Sequence, residues 1–330
     1  MSQATMQHVI ITEPGGVDKL AYETVAIPQA KAEEVLVKVH AFGINRPDIL
    51  QRQGLYPMPK GVTPVPGLEV AGIVEAVGAD VTQFKVGDKV CGLTNGGGYA
   101  EYCVVPQSQT LTIPEGVSFV QAAAIPETFF TVWANVFQMA KAKAGETLLV
   151  HGGASGIGTT VLMLCKAFGI KTFATVGSDE KVQAIVDLTD AINYKTQDFE
   201  QVIQEKTNNE GVDVILDMVG APYLEKNLNL LRRDGRLVYI AFLAGAKAKE
   251  ISLGQIMMKR LTITGSTMRA RTTAEKAEIA QGIQQQLAPL WAKGECLPMI
   301  YKTFKFDQIQ DAHAIMDTGE HIGKVVVEVI

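Results

Sequence analysis

The stretch HGGASGIGT, residues 151–159, combines residue types that can hold an anion through the backbone rather than through side chains. Its glycines lack a Cβ, so the main chain can turn sharply and lie against a pyrophosphate. An apolar run, Leu148-Leu149-Val150, precedes it and reads as a strand covered on both faces. From Gly156 the period changes, and Ile157, Val161, Leu162, Leu164 and Cys165 suit the apolar stripe of a helix. That helix would point unpaired N–H groups and the positive end of its dipole at a phosphate. Gly152, Gly156 and Gly158 form a G-x-x-x-G-x-G variant of the dinucleotide fingerprint, and a site built on Gly152, Ser155, Gly156, Ile157 and Gly158 is expected. A tight turn without ligand would use the same glycines, but further strand-helix units follow.

The second strand of that series, 170–177, bears on which dinucleotide is bound. An NAD site places an acid at the end of this strand to bond the ribose 2′-hydroxyl. Here the strand ends Ala174-Thr175-Val176-Gly177 without a carboxylate, and Ser178 and Lys181 follow. A hydroxyl, a helix N-terminus and an ammonium suit a 2′-phosphate, which points to NADPH. Asp179 and Glu180 pull the other way, since either could face an NAD ribose; first-turn acids are also favoured by the helix dipole alone.

The elements that must position these groups divide the chain into three stretches. Residues 1–120 are β-rich. Val35, Val37 and Val39 alternate with Leu36, Lys38 and His40; GLEVAGIVEAVG (67–78), KVCGL (89–93) and YAEYCVVP (99–106) read as further strands, and Gly96-Gly97-Gly98 as a turn. From about 121 helices and strands alternate. A helix is expected over 128–140, then strands at 148–150, 170–177, 191–193, 212–220, 235–242 and 261–266, with helices near 179–187, 198–207, 222–232 and 253–259. Six strands with crossover helices make an α/β, doubly wound parallel sheet of Rossmann type. After 270 come a long helix (274–294), a helix over 306–319 with Asp307 placed to cap it, and a closing strand, 323–329. This tail is too small to stand alone and is expected to return to the N-terminal unit. The expected division is one discontinuous domain, 1–122 with 268–330, and a cofactor domain, 123–267.

The 330 residues suit about two domains, and 47% hydrophobic with 20% charged residues is ordinary for a soluble globular protein. A net charge of −5 gives no general attraction to nucleic acid or anionic membrane. No apolar run approaches a membrane span, and residues 1–16 lack the features of a signal peptide. Cys91, Cys103, Cys165 and Cys296 form no C-x-x-C pair and read as small buried hydrophobes in a reducing compartment. A cytoplasmic location is expected, with no nucleic-acid or membrane partner.

The order of parts resembles the medium-chain dehydrogenase/reductase superfamily, whose catalytic domain is GroES-like, a partly open β-barrel. NRPDILQRQGLYP (45–57), GLEVAGIVEAVG (67–78), QAAAIPETFFTVWANVF (121–137), HGGASGIGT (151–159), NYKTQDF (193–199) and HIGKVVVEV (321–329) resemble the zinc-independent quinone oxidoreductases, the zeta-crystallin group. Within it they are most similar to the branch induced by the p53 tumour suppressor in mammals. The resemblance implies NADPH held by Gly177-Ser178, Lys181 and Tyr194, with Phe242 and Leu243 closing over it and Lys324 near it. It implies a cleft lined by Asn45, Asp48, Tyr56 and Thr131.

Zinc-dependent relatives hold the metal with Cys, His and a further Cys or acid. The matching positions here read Asn45 and Leu68, and no cysteine lies between Cys103 and Cys165. Leucine cannot ligate, and an amide oxygen is a poor zinc ligand, so metal-free chemistry is expected. His8, His40, His151, His313 and His321 have no ligand spacing. Asn45 can donate a hydrogen bond to an acceptor carbonyl, Tyr56 can stack on a planar ring and offer a proton, and Thr131 could touch the nicotinamide. Asp48 suits fixing the loop better than moving protons. The expected activity is NADPH-dependent quinone reduction; reduction of α,β-unsaturated carbonyls uses the same hydride geometry, and a non-enzymatic NADPH-binding protein is the third reading. The sixth strand of the parallel sheet, LTITGS, is β-branched and short of charge, an edge suited to pairing with a second copy in a homodimer.

Overall fold

The computed structural model describes residues 4–56, 58 and 61–330. The chain falls into two compact units, one running to Phe130 and resuming at Arg269, the other spanning Thr131–Met268. In chain order the first unit contributes β1 Thr5–Ile11, β2 Leu20–Ala26, β3 Glu34–Ile44, α1 Arg46–Arg52, β4 Glu69–Val77, β5 Lys89–Leu93, β6 Tyr102–Pro106, β7 Thr110–Thr112 and α2 Phe119–Ala122. Helix α3, Pro126–Val132, leads into the second unit and runs on as a π-helical segment, Trp133–Met139. There follow β8 Thr147–His151, α4 Gly156–Ala167, β9 Lys171–Val176, α5 Asp179–Ala184, β10 Asp190–Asn193, α6 Phe199–Lys206, β11 Val212–Asp217, α7 Leu224–Leu230, β12 Leu231–Tyr239, α8 Leu253–Lys259 and β13 Thr262–Gly265. The first unit is completed by α9 Thr273–Trp291, β14 Ile300–Lys305, α10 Ile309–Thr318 and β15 Lys324–Glu328.

The second unit is a parallel six-stranded sheet in the order β10-β9-β8-β11-β12-β13. Every residue of β8 is buried, as befits a strand with neighbours on both sides and helices over both faces. The winding reverses at β8, so the loop after its carboxyl end lies at the switch point where such sheets bind ligands. Leu149, Phe173, Ile215 and Leu237 form the core beneath the helices.

The first unit holds the hairpin β1-β2 and a seven-stranded sheet ordered β14-β15-β3-β4-β5-β7, with β6 also paired to β3. Val35, Val37, Val39, Phe42, Val70 and Val327 fill its core. One face of α9 is buried through Lys276, Ile279, Ala280, Ile283, Leu287 and Trp291, a helical stripe with one cation in it.

Three readings are corrected by the structure. Strands β1, β2, β7 and β14 add to the expected set: β1 and β2 form a two-stranded sheet of their own and β7 and β14 are sheet edges, where exposed residues blur the alternation. The helix expected over 128–140 is wound in two modes. Asp307 does not cap the helix after it: α10 starts from Gln308 without a side-chain cap bond. A 3₁₀ turn, Phe306–Gln308, runs straight into α10 instead, and Gln308 Oε1 takes the N–H of Lys305 (2.9 Å).

Candidate active site

In the first unit three neighbouring strands, β15, β3 and β4, bring three side chains together at their ends. Val325 pairs with Ile44, and Phe42 with Val70, so Lys324 at the start of β15 and Glu69 at the start of β4 flank Asn45, which follows β3. The Lys324 ammonium donates to Asn45 Oδ1 (2.6 Å), Glu69 Oε1 (2.6 Å) and the carbonyl of Ile44 (3.2 Å). Asn45 Nδ2 donates to the same Glu69 oxygen (2.8 Å). Glu69 Oε2 accepts the backbone N–H of Glu127 (2.8 Å). Glu69 is fully buried and Lys324 3% exposed, so both charges are desolvated and each depends on the other. Gly43 makes room for them: a Cβ there would stand 2.0 Å from Glu69 Oε1.

The ammonium can only donate and the carboxylate only accept, so together they fix which way the Asn45 amide faces. Its oxygen turns to Lys324 and its nitrogen to Glu69, and the second amide hydrogen has no partner among the described residues. Lys324 is thus no surface charge; its three hydrogens are spent on protein acceptors.

Asp48, also fully buried, ties the Asn45 loop to the start of β4. Its Oδ2 accepts the Asn45 N–H (2.9 Å) and the Tyr99 hydroxyl (3.1 Å), and Oδ1 accepts the Gly67 N–H (3.2 Å). Burial pushes its carboxyl up to about 6, against the pull of these hydrogen bonds and of Lys324. The geometry suits a group that holds the loop.

Tyr56 is half-buried, with the Arg269 guanidinium 5.1 Å from its ring centroid. Burial raises its phenol above the ordinary value and Arg269 draws it back down. Sequence reasoning passed over four further residues of this unit: Glu69, Glu127, Lys276 and Arg269. Lys276 is buried on α9 and donates to Asn95 Oδ1 (2.7 Å), and Arg269 Nη2 donates to the Asn95 carbonyl (2.7 Å). The Glu127 carboxyl is pushed up to about 7 by burial and by the charge of Glu69, and it makes no side-chain hydrogen bond among the described residues. Glu69 and Glu127 lie in segments that resemble the family, 67–78 and 121–137, but attention there fell on Leu68 rather than on its neighbour. Leu68 is buried, and among the described residues no group of His, Cys, Asp and Glu is arranged to hold a metal ion.

The second unit presents backbone instead. Gly152 has φ +76°, and a Cβ on Gly158 would stand 2.4 Å from the Gly152 carbonyl. Ser155 caps α4, its Oγ accepting the Gly158 N–H (3.0 Å) and donating to the Gly152 carbonyl (2.8 Å). Gly156 and Ile157 form the first turn, where N–H groups have no intrahelical acceptor. A close-lying glycine turn at a helix N-terminus fits a dinucleotide pyrophosphate.

Gly177, Ser178, Lys181 and Tyr194 meet beyond the end of β9. The Tyr194 backbone N–H bonds the Val176 carbonyl (3.1 Å), and its hydroxyl lies where a Cβ on Gly177 would be 3.1 Å away. Ser178 caps α5 by accepting the Lys181 N–H (3.3 Å). Asp179 is engaged by the Asn193 amide (2.7 Å), and Glu180 is exposed. Phe242 and Leu243 are exposed past β12, with the Leu243 N–H on the Met218 carbonyl (3.0 Å). Thr131 is buried, its carbonyl accepting from Asn135 Nδ2 (2.8 Å).

The profile "Alcohol dehydrogenase GroES-like domain" matches residues 31–115, and "Zinc-binding dehydrogenase" matches 156–284. The Quinone oxidoreductases of Rattus norvegicus and Homo sapiens are each 31% identical to the chain over 331 residues, covering 98% of both sequences. Among solved structures, a Pseudomonas syringae pv. Tomato DC3000 quinone oxidoreductase superposes with TM-score 0.83 at 28% identity, covering 98% of this chain and 100% of that one. The CurK enoyl reductase superposes with the same score and identity, covering 98% and 99%. In this superfamily the Rossmann unit binds a nicotinamide cofactor, NAD or NADP, and the glycine turn described above is built for one. The chain is an oxidoreductase fold carrying a GroES-like unit, and it belongs to the zeta-crystallin-like quinone oxidoreductase group of the medium-chain dehydrogenase/reductase superfamily.

Proposed function

We propose that the chain reduces quinones with NADPH, without a metal. The observation that carries this is the Asn45 amide, locked by Lys324 and Glu69 so that one N–H is left to donate. When bound, the cofactor supplies a hydride. The chain's own residues bind, orient and polarise. Gly152, Ser155, Gly156, Ile157 and Gly158 receive the pyrophosphate. Ser178, Lys181 and Tyr194 receive the 2′-phosphate, a preference supported by Asp179 being engaged with Asn193 rather than free to take a ribose hydroxyl. Asn45 donates to the acceptor carbonyl oxygen, where charge accumulates on reduction. Tyr56 stacks on the planar acceptor and offers its phenolic proton. Lys324 is assigned to holding Asn45; Thr131, Phe242 and Leu243 to the nicotinamide surroundings.

The similarity to the CurK enoyl reductase favours a second reading, reduction of α,β-unsaturated carbonyls. That reaction also needs a polarised carbonyl. We further propose a homodimer through β13. This strand is the sheet's edge and pairs only with β12 among the described residues, and the apolar Leu253, Met257 and Met258 of α8 lie exposed nearby in sequence.

A panel of ortho-quinones, para-quinones and enones, offered with NADPH or NADH after dialysis against a chelator, tests the reading. NADPH oxidation with a quinone, unchanged by the chelator, is expected. Equal use of NADH, or activity restored only by added zinc, would overturn it.

A further inference from the structure

Asp48 is the near end of a buried chain of polar side chains that the reaction just described does not use. Beyond Asp48, the Tyr99 hydroxyl lies 3.0 Å from His313 Nε2, and His313 Nδ1 lies 3.4 Å from Arg52 Nη1. Arg52 Nη2 reaches Asp317 Oδ2 (2.8 Å) at the partly exposed end, and Arg52 Nε donates to the Gly15 carbonyl (3.2 Å). Tyr99, His313 and Arg52 are all at most 1% exposed, and they come from the loop before β6, from α10 and from α1.

Elementary hydrogen-bond chemistry gives this chain a direction. A guanidinium can only donate, so His313 Nδ1 must accept from Arg52, and the imidazole proton sits on Nε2. Nε2–H then donates to the Tyr99 oxygen, and the Tyr99 hydroxyl donates to Asp48. Each member is set by the one before it. A second proton on His313 would face the Arg52 cation; burial and that cation hold the imidazole neutral, down to about 3. At its near end the relay meets Asp48, a carboxylate that also takes the N–H groups of Asn45 and Gly67, the two backbone points flanking the cluster of Asn45, Glu69 and Lys324.

We propose that Arg52, His313 and Tyr99 are positioning residues, a one-way relay of donors that keeps Asp48 an acceptor and thereby holds Asn45 in its working place. The proposal rests on the reading of Asn45 as the donor to the acceptor carbonyl. The charged and titratable groups around Asp48 are Lys324 on β15, Tyr99 before β6, Tyr56 after α1 and Glu127 on α3, with Arg52 and Glu69 facing Tyr99; those around His313 are Arg52 and Tyr99. Lys324 favours the Asp48 anion, whereas burial and Glu127 oppose it. The Tyr99 hydroxyl is the donor to it that a substitution can remove without touching the backbone.

The test uses the full chain and three variants, Tyr99→Phe, His313→Leu and His313→Gln. Tyr99→Phe deletes one donor to the anion, so Asp48 should ionise about one pH unit higher, and the acid limb of kcat/KM should move up with it. His313→Leu should move the limb the same way by less, and His313→Gln, whose amide can still donate to Tyr99, should restore it. A second readout needs no substrate. The folded-state carboxyl of Asp48, at about 6, lies above the ordinary value of 3.8, so the folded protein binds the extra proton and loses stability as pH rises between those values. Tyr99→Phe extends that loss upward. Its denaturant midpoint should fall short of wild type by more at pH 8 than at pH 5. A purely packing role would lower stability equally at both. An acid limb and a stability–pH curve in Tyr99→Phe that both run parallel to wild type would overturn the relay; should that variant not fold, identical limbs for His313→Leu and His313→Gln would do so. Were no acceptor reduced by wild type, the functional reading would fall, and the stability curves would still decide whether the relay acts on Asp48.

Discussion

The two units prepare for ligand in opposite ways. The Rossmann unit uses backbone: a left-handed glycine, a Ser155 cap and the first turn of α4, all within seven residues. The GroES-like unit uses buried side chains drawn from Asn45, Glu69 and Lys324, which strand pairing brings together from distant parts of the sequence. Each unit also buries a histidine, and the pair shows what partners do. His151 bonds Thr175 Oγ1 (2.9 Å) and Asn227 Oδ1 (2.8 Å), neutral groups that settle it in the core. His313 is set between a cation and a phenol and passes a direction on to Asp48. A backbone site tolerates changes of side chain but no added Cβ; a side-chain site tolerates small shifts but no lost charge.

Substitutions can break this contrast at either end. Lys324→Met leaves the Glu69 carboxylate buried without its cation, which should cost about 3–5 kcal/mol of stability. Urea unfolding measures it, and a loss below about 1 kcal/mol would show that the cluster is far better solvated than its burial implies. Gly158→Ala drives a Cβ to 2.4 Å from the Gly152 carbonyl, a clash with backbone that cannot swing aside. Overpacking of this kind costs about 1–3 kcal/mol, seen as weakened cofactor binding by calorimetry with a smaller change in quinone affinity. Normal cofactor affinity would mean that the turn is not the pyrophosphate site. Lys181→Ala removes one charge-assisted contact, worth about 1.5–3 kcal/mol, and should raise KM for NADPH while leaving that for NADH near its starting value. A parallel rise for both would move the 2′-phosphate elsewhere.

The smallest effect sharpens the side-chain half. Glu127 ionises at about 7 in the folded chain, above its ordinary 4.5, so folding takes up a proton in that interval and stability declines as pH rises through it. Glu127→Gln has no proton to lose. Its stability relative to wild type should therefore improve from pH 5 to pH 8, and a constant offset would contradict the raised value.

Sequence alone carried the backbone half well. The apolar run of β8 and the glycines after it lie within one window, and the period changes from strand to helix inside it, so the turn can be read locally. Six strands separated by helices, and with them a doubly wound parallel sheet, follow from the alternation of the two patterns. The side-chain half was only partly legible. Asn45, Asp48 and Tyr56 stand out in a segment resembling a known family, but nothing in the spacing of Lys324 and Asn45 announces a 2.6 Å contact. That contact exists because β15 pairs with β3, a long-range event set by packing. Lys276 read as one polar residue of a helix, since a single buried cation on an apolar stripe has no periodic signature. Asp307 failed as a cap for a local reason: it lies inside a 3₁₀ turn that runs straight into the helix.

The central claim is that Asn45, held by Lys324 and Glu69, polarises the acceptor in place of a metal. Its most direct test is steady-state reduction of an ortho-quinone by wild type and Asn45→Ala, with cofactor affinity measured separately by calorimetry. Loss of one preorganised donor can cost up to about 10²–10³ in kcat. A quinone is already electrophilic, so a smaller fall in kcat/KM is expected, a larger one for an enone, and an unchanged cofactor Kd for both. Unchanged kcat/KM for every acceptor would contradict the claim and place the reacting carbonyl away from Asn45.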